Sequence, residues 1–235
     1  MVARMVSNFL EVLAPENALL EFLIALPLFA YVLGVLTLTK YIYVLLRRRG
    51  LSDNIVVYYN RKVIHILTGG LVGLAVPYLF TSPLVPAAFA FILAAITYIP
   101  HRTGKLLYWF QVDYNMYEVN FCFAWGAALL VLWIIFGSPL YAVMPIAFMS
   151  FGDAVTGIIR NAVYRRRTKS WIGNLGMFLV TLPIGVLYAG SVGAVAAVVA
   201  SVVEHFELPP LVDDNVLITI STLSILIASR ALGFL

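Results

Sequence analysis

The chain has 235 residues, of which 63% are hydrophobic and only 11% charged, with a net charge of +4. A soluble domain averages about 45–50% apolar and about 25% charged residues, so a soluble fold is excluded and lipid is the solvent. The basic excess does not point to nucleic acid, because Lys and Arg cluster at the edges of apolar runs, and the single Cys122 rules out an internal disulfide or a cysteine zinc cluster.

Backbone groups in lipid must pair internally, which leaves helices or a closed barrel. The apolar runs are continuous rather than alternating, so the expected fold is all-α: a polytopic membrane bundle of about seven or eight helices, forming one domain over residues 1–235. The runs lie at 18–46, 62–80, 84–100, 118–137, 140–160, 174–189, 191–204 and 215–233. The first, opened by Glu11, Glu16 and Glu21, is too long for the core of a signal peptide and reads as a retained helix. Pro-containing turns, FTSPLVP (80–86) and FGSPLY (136–141), separate the second from the third and the fourth from the fifth. Gly190 and Gly193 mark a weaker break between the sixth and seventh.

Basic residues set the orientation. Arg47, Arg48, Arg49, Arg61 and Lys62 fall between the first two runs. Arg102 and Lys105 follow the third, and Arg160, Arg165, Arg166, Arg167 and Lys169 follow the fifth. The alternate loops at 81–83, 138–139 and near 190 carry neither Lys nor Arg; only Arg4 and Arg230 fall on that side. The long polar loops, including 204–214, are therefore expected in the cytosol with both termini outside. The expectation is an integral membrane protein, in the cell membrane if the source is prokaryotic, with its site facing the cytosol.

Four polar segments gather on that face. In NRKVIHILTGG (60–70), Arg61, Lys62 and His65 share one side of a helix, and Gly69 continues the stripe one turn deeper. Arg61 and Lys62 suit snorkelling at a membrane edge, whereas His65 lies within the span, where ionisable groups usually face a cavity and have a function. In SFGDAVTGIIR (150–160), Asp153, Thr156, Gly157 and Arg160 recur on one stripe beside Gly152. A carboxylate near the centre of a membrane helix costs about 2.5–3.5 kcal/mol, so Asp153 needs a partner. Arg160 is two turns away, about 10 Å of rise, which favours a metal ion over an Asp153–Arg160 pair.

RRRTKSWIGNLGMF (165–178) runs cations and hydroxyls, Lys169 and Ser170 among them, into a helix start spaced by Gly173 and Gly176. Lys and Arg bind phosphate oxygens, a helix N-terminus favours an anion, and anionic lipid is the alternative ligand for the arginines. EHFELPPLVDDN (204–215) brings Asp213 and Asp214 to the last helix, either as a cap or as oxygen ligands for Mg²⁺ together with Asp153. Glu204 is a further candidate, and Pro209–Pro210 stiffens the loop. Carboxylates, a histidine, cations and glycines at one membrane mouth suit phosphoryl transfer, in which catalysis is mostly positioning and charge neutralisation.

The segments RKVIHILTGG, FGDAVTGIIR, KSWIGNLGMF and VEHFELPPLVDDN, in that order, resemble the dolichol kinase and phytol kinase family of membrane CTP-dependent polyprenol kinases. The resemblance covers most of the C-terminal two-thirds of the chain. It implies transfer of the γ-phosphate of CTP to the terminal hydroxyl of an isoprenoid alcohol, with CTP, the lipid alcohol and the surrounding membrane lipid as partners. By that resemblance Gly152, Asp153, Lys169, Ser170, Gly173 and the Asp213–Asp214–Asn215 run form the nucleotide and metal site. Arg61, Lys62 and His65 match the family's early basic helix. One departure is the segment RNAVYRRRTKS, which lacks the glycine that family members often carry after the GDA helix. The expected mechanism holds Mg²⁺ on Asp153 and Asp213 or Asp214. It binds phosphate through Lys169, Ser170, Arg61, Lys62 and Arg160, and gives the alcohol proton to His65 or to a carboxylate left off the metal. The alternatives are a CTP-dependent lipid cytidylyltransferase, whose usual signature (Lys-Asp, His-Gly-Gly, Asp-Arg) is absent, and a membrane transporter, whose midplane site and internal repeats have no counterpart here.

Overall fold

The computed structural model describes residues 11–166, 168–207 and 212–235. Arg4, Arg167 and Pro209–Pro210, used above for orientation, phosphate contact and loop stiffness, lie outside the described residues.

Helix α1 (Ala18–Arg48) starts where Asn17 accepts a hydrogen bond from the Leu20 N–H at 3.0 Å, which satisfies one of the donors a helix start leaves unpaired. Its outward face carries Leu19, Leu23, Leu38 and Tyr41, all exposed, as a lipid-facing helix requires. Near its start the buried Glu21 accepts from the Thr81 N–H (2.7 Å), the Thr81 hydroxyl (2.6 Å) and the Ser82 hydroxyl (3.4 Å). That carboxylate pins the 80–86 turn onto α1.

Two of the following rods contain a π-helical turn. Helix α2 (Asp53–Ile64) passes through a π turn at His65–Gly70 into α3 (Leu71–Leu79). After α4 (Leu84–Thr103) and α5 (Tyr117–Phe136), helix α6 (Leu140–Ala147) passes through a π turn at Phe148–Gly152 into α7 (Asp153–Tyr164). The two π turns pack on each other. The approach is close because Gly69 has no side chain: a Cβ there would sit 2.3 Å from Phe121 and 2.8 Å from the Ser150 hydroxyl. π turns inside α-helices recur at functional sites, and here His65 opens one and Asp153 follows the other.

The expected sixth and seventh spans form one element, α8 (Trp171–Val203), which folds back on itself. The reversal lies at Ala189 (φ −145°, ψ 21°) and Gly190 (φ 54°, ψ −130°), the latter a conformation that glycine adopts at no steric cost. Asn174 donates to the Ser201 carbonyl at 2.6 Å, although a straight helix would separate the two by about 40 Å. The limbs cross where Gly185 and Gly193 bring their backbones together; a Cβ on Gly193 would lie 1.8 Å from the Gly185 carbonyl oxygen. The break expected at Gly190 is therefore present, and the two limbs correspond to the expected sixth and seventh runs. Helix α9 (Asp214–Ala231) closes the chain.

Seven helical rods among the described residues are long and apolar enough to cross a membrane, the α8 hairpin counted as one. The chain is an all-α polytopic bundle. Its core runs through Val76, Ala87, Leu129, Leu132, Met144 and Ile218.

A buried lysine and carboxylate centre at one end of the bundle

Asp153 is 1% exposed, and its partners are side chains from α2 and the π turn after it. The Lys62 ammonium donates to both carboxylate oxygens at 2.7 Å, and His65 Nδ1 lies 3.2 Å from Oδ2. A carboxylate that already accepts from an ammonium is ionised, so the hydrogen on this contact is assigned to His65 Nδ1. Phe121 fixes the imidazole plane by stacking at 4.0 Å. Lys62 reaches Asp153 because Gly157 leaves a channel: a Cβ on Gly157 would meet Lys62 Cε at 2.4 Å.

Arg160, two turns beyond Asp153 on α7, turns to α8. Its guanidinium makes a two-pronged pair with Glu204, Nη1 to Oε1 at 2.7 Å and Nη2 to Oε2 at 2.8 Å. Nη2 also donates to Asn174 Oδ1 at 2.8 Å, and Nε donates to the Ser170 carbonyl at 2.9 Å. Gly173 gives room for it, since a Cβ there would fall 2.5 Å from Arg160 Nε. Lys169 completes the centre. Its ammonium donates to Asp214 Oδ2 (3.0 Å) and the Glu204 carbonyl (2.8 Å), and pairs with Glu204 Oε1 (3.3 Å) and Glu207 Oε1 (3.1 Å). Burial disfavours that charge, but Asp214, Glu204 and Glu207 outweigh it and hold the lysine protonated well above its usual range.

One oxygen each from Asp153, Glu204 and Asp214 lies within 4.8 Å of the others. Converging hard oxygens suit a divalent cation such as Mg²⁺. Lys62 and Lys169 already neutralise these same carboxylates, so such a cation fits if the two ammonium groups turn from carboxylate to phosphate oxygen.

The four polar segments thus meet, but the contacts differ from expectation at several points. Asp153, expected to lean on a metal, is matched by Lys62 and His65 of this chain, and Arg160, expected on phosphate, pairs with Glu204; as the two-turn spacing implied, it does not pair with Asp153. Asp213 stands outside the three-carboxylate set: it caps α9, accepting from the Val216 N–H and from Asn120 Nδ2, both at 3.1 Å. Glu204 occupies the place expected for Asp213. Asn215 is buried beside it, with Nδ2 3.4 Å from Asp213 and Oδ1 without a hydrogen-bond partner. Gly152 lies in the π turn and its carbonyl accepts from Thr156. The Ser170 hydroxyl bonds Tyr164, so α8 begins without a side-chain cap. Gly173 and Gly176 admit Arg160 and Ile159, not open space. Arg61 is buried against the Tyr117 ring, its guanidinium carbon 3.7 Å from the centroid.

Two residues near the centre escaped the sequence reading. Asn174 bridges Arg160 and Glu204 from within an apolar run. Glu118, at the start of α5, is buried beside His101 and Gln111. Its signal was a lone carboxylate opening an apolar span. No family model, curated protein or solved structure matches this chain.

Proposed function

We propose that the chain is a CTP-dependent kinase that transfers the γ-phosphate to the terminal hydroxyl of a long isoprenoid alcohol of the dolichol, polyprenol or phytol type. The observation that carries this reading is the convergence of three carboxylate oxygens (Asp153, Glu204, Asp214) with two buried cations (Lys62, Arg160) and one half-buried one (Lys169) at one end of a lipid-facing bundle. A site at the mouth of a helix bundle gives a water-soluble nucleotide and a membrane-bound alcohol access to one point.

Asp153, Glu204 and Asp214 would hold a divalent cation, which supplies charge neutralisation for the triphosphate when bound. Lys169 and Lys62 release their carboxylates to bind phosphate oxygens, aided by the uncapped N-terminus of α8 at Ser170. Arg160 keeps Glu204 and both limbs of α8 in place. The alcohol oxygen bonds to the γ-phosphorus, and the bond from that phosphorus to the β,γ-bridging oxygen breaks with its electrons staying on CDP. His65, held by Asp153, or a carboxylate outside the metal set receives the hydroxyl proton.

Purified protein incubated with labelled CTP, a divalent cation and a panel of isoprenoid alcohols tests this. The expected products are a labelled lipid monophosphate and CDP, and Asp153→Asn lowers the rate at least about 100-fold, the scale of losing a main electrostatic group. Absence of lipid phosphate at every chain length, with detergent and metal controls in order, overturns the proposal. Release of pyrophosphate in place of CDP would identify a cytidylyltransferase.

A further inference from the structure

Glu118 is held from one side only. Its Oε1 accepts from His101 Nε2 and, at 2.7 Å, from Gln111 Nε2, while Oε2 is buried with no hydrogen-bond partner. The side chain is 9% exposed. Arg61, 5% exposed, likewise keeps a buried Nε without a partner. Both residues line one small cavity of about 30 Å³, together with His65 and Thr97. That is space for a single water or hydroxyl. An orphaned acceptor and an orphaned donor on two residues that line the same space call for a group that donates once and accepts once, as a hydroxyl does.

The cavity shares Val32, Thr68, Leu93, Phe121 and Cys122 with a second, apolar groove of about 80 Å³. This groove runs between α1, α4 and α5 to Phe80 and Pro86, at the opposite end of the bundle. The pair of spaces therefore has a polar head and an apolar body. His65 lines the head and bonds Asp153, so the same imidazole borders both the cavity and the carboxylate centre.

Resting on the kinase reading above, we infer that the cavity between Arg61, His65 and Glu118 seats the acceptor hydroxyl, that Glu118 Oε2 takes its proton, and that the adjoining groove holds the first part of the isoprenoid tail. Arg61 Nε–H donates to the alcohol oxygen and the alcohol O–H donates to Glu118. As the oxygen bonds to the γ-phosphorus and CDP leaves with the bridging electron pair, the proton moves to Glu118. His65 then positions Asp153 and is not the base.

The experiment uses the full chain in nanodiscs. A diazirine-bearing isoprenoid alcohol, photolysed without nucleotide, should label α1 and α4 around Val32 and Leu93, and unlabelled alcohol should compete. Leu93→Trp, which fills the wall common to both spaces, should cut labelling at least tenfold while CTP binding stays within twofold. Glu118→Gln should keep CTP binding and groove labelling but lose at least 100-fold in kcat, and Glu118→Asp should restore part of the lost rate. Labelling outside the groove, or labelling indifferent to Leu93→Trp, overturns the groove. Glu118→Gln turning over within threefold of the native chain overturns the base. A native chain that labels in the groove yet phosphorylates no alcohol overturns the kinase reading and the role of Glu118 with it, and leaves the lipid groove standing.

Discussion

Asp153 receives three hydrogen bonds from two residues of the α2 rod, and all three residues are buried. A buried ion pair adds little when intact, but removing one partner strands the other charge, at a cost of about 3–5 kcal/mol. Asp153→Asn and Lys62→Met should each destabilise the protein by that amount in detergent unfolding. The double variant should recover at least half of the summed loss, because the stranded ammonium goes with its partner. Additive losses would mean that the pair does not couple the two helices. Asp213 makes a different prediction. Burial and then the adjacent Asp214 charge push its carboxyl from 3.8 up to about 7. Between those values the native state holds a proton that the unfolded chain has released. The stability Asp213 contributes is therefore complete below pH 3.8 and is lost as pH rises through 7. In metal-free buffer the stability difference between the native chain and Asp213→Asn should fall by at most about 4 kcal/mol between pH 4 and 7.5 and then level off; a difference constant over that range contradicts the assignment. At this scale the sequence exposed the residue types but not their pairing. Lys62 and Asp153 are 91 positions apart, and only the missing side chain at Gly157 lets one reach the other.

Elements were easier to foresee than their irregularities. Long apolar runs bounded by prolines give helices within a few residues of those observed. The second rod begins at Asp53 rather than 62, because DNIVVYYN is polar enough to hide a helix that packs on α7 outside the apolar run. The π turns left no signal beyond HILTGG and FMSFG, since one extra residue per turn does not alter an apolar stretch. Two glycines separate side-chain from backbone constraint. Alanine at 157 meets side chains alone, the flexible end of Lys62 at 2.4 Å and the Tyr58 hydroxyl at 3.0 Å. Gly157→Ala should therefore fold normally, lose no more than a few degrees in Tm, and cut phosphoryl transfer at least about tenfold by displacing the ammonium, a loss of roughly 1.4 kcal/mol in the transition state. Alanine at 193 meets the Gly185 backbone at 1.8 Å, where nothing flexible can yield. Gly193→Ala should instead lower Tm by roughly 5–10 °C, on the scale of about 2–4 °C per kcal/mol for a chain of this size. Equal thermal losses in the two variants would contradict the hairpin crossing.

For the whole molecule, the two ends of the bundle differ in charge in a way that composition alone conceals. One end gathers the centre and the basic segments around Arg47–Arg49, Arg102, Lys105 and Arg165–Arg166. The other holds the turns at 80–86 and 136–141 and the reversal at Gly190, with Arg230 over the Phe136 ring at 4.9 Å. The α8 hairpin is what makes this separation consistent. A single uninterrupted α8 would carry Glu204 to the end opposite Arg160, and the three-carboxylate set would not exist. The positive-inside rule then predicts that the charged end faces the cytosol. In a Cys122→Ser background, single cysteines replace Ser52, Thr103 and Arg166 at the charged end, and Ser138 and Ser191 at the other. A membrane-impermeant maleimide added to intact cells should modify the last two alone, and opening the cells should expose the first three. Mixed labelling within either group contradicts the arrangement of passes. The reverse pattern in both groups keeps the bundle but turns the carboxylate and lysine centre away from the cytosolic nucleotide pool, and a CTP-dependent reaction at that centre is then ruled out.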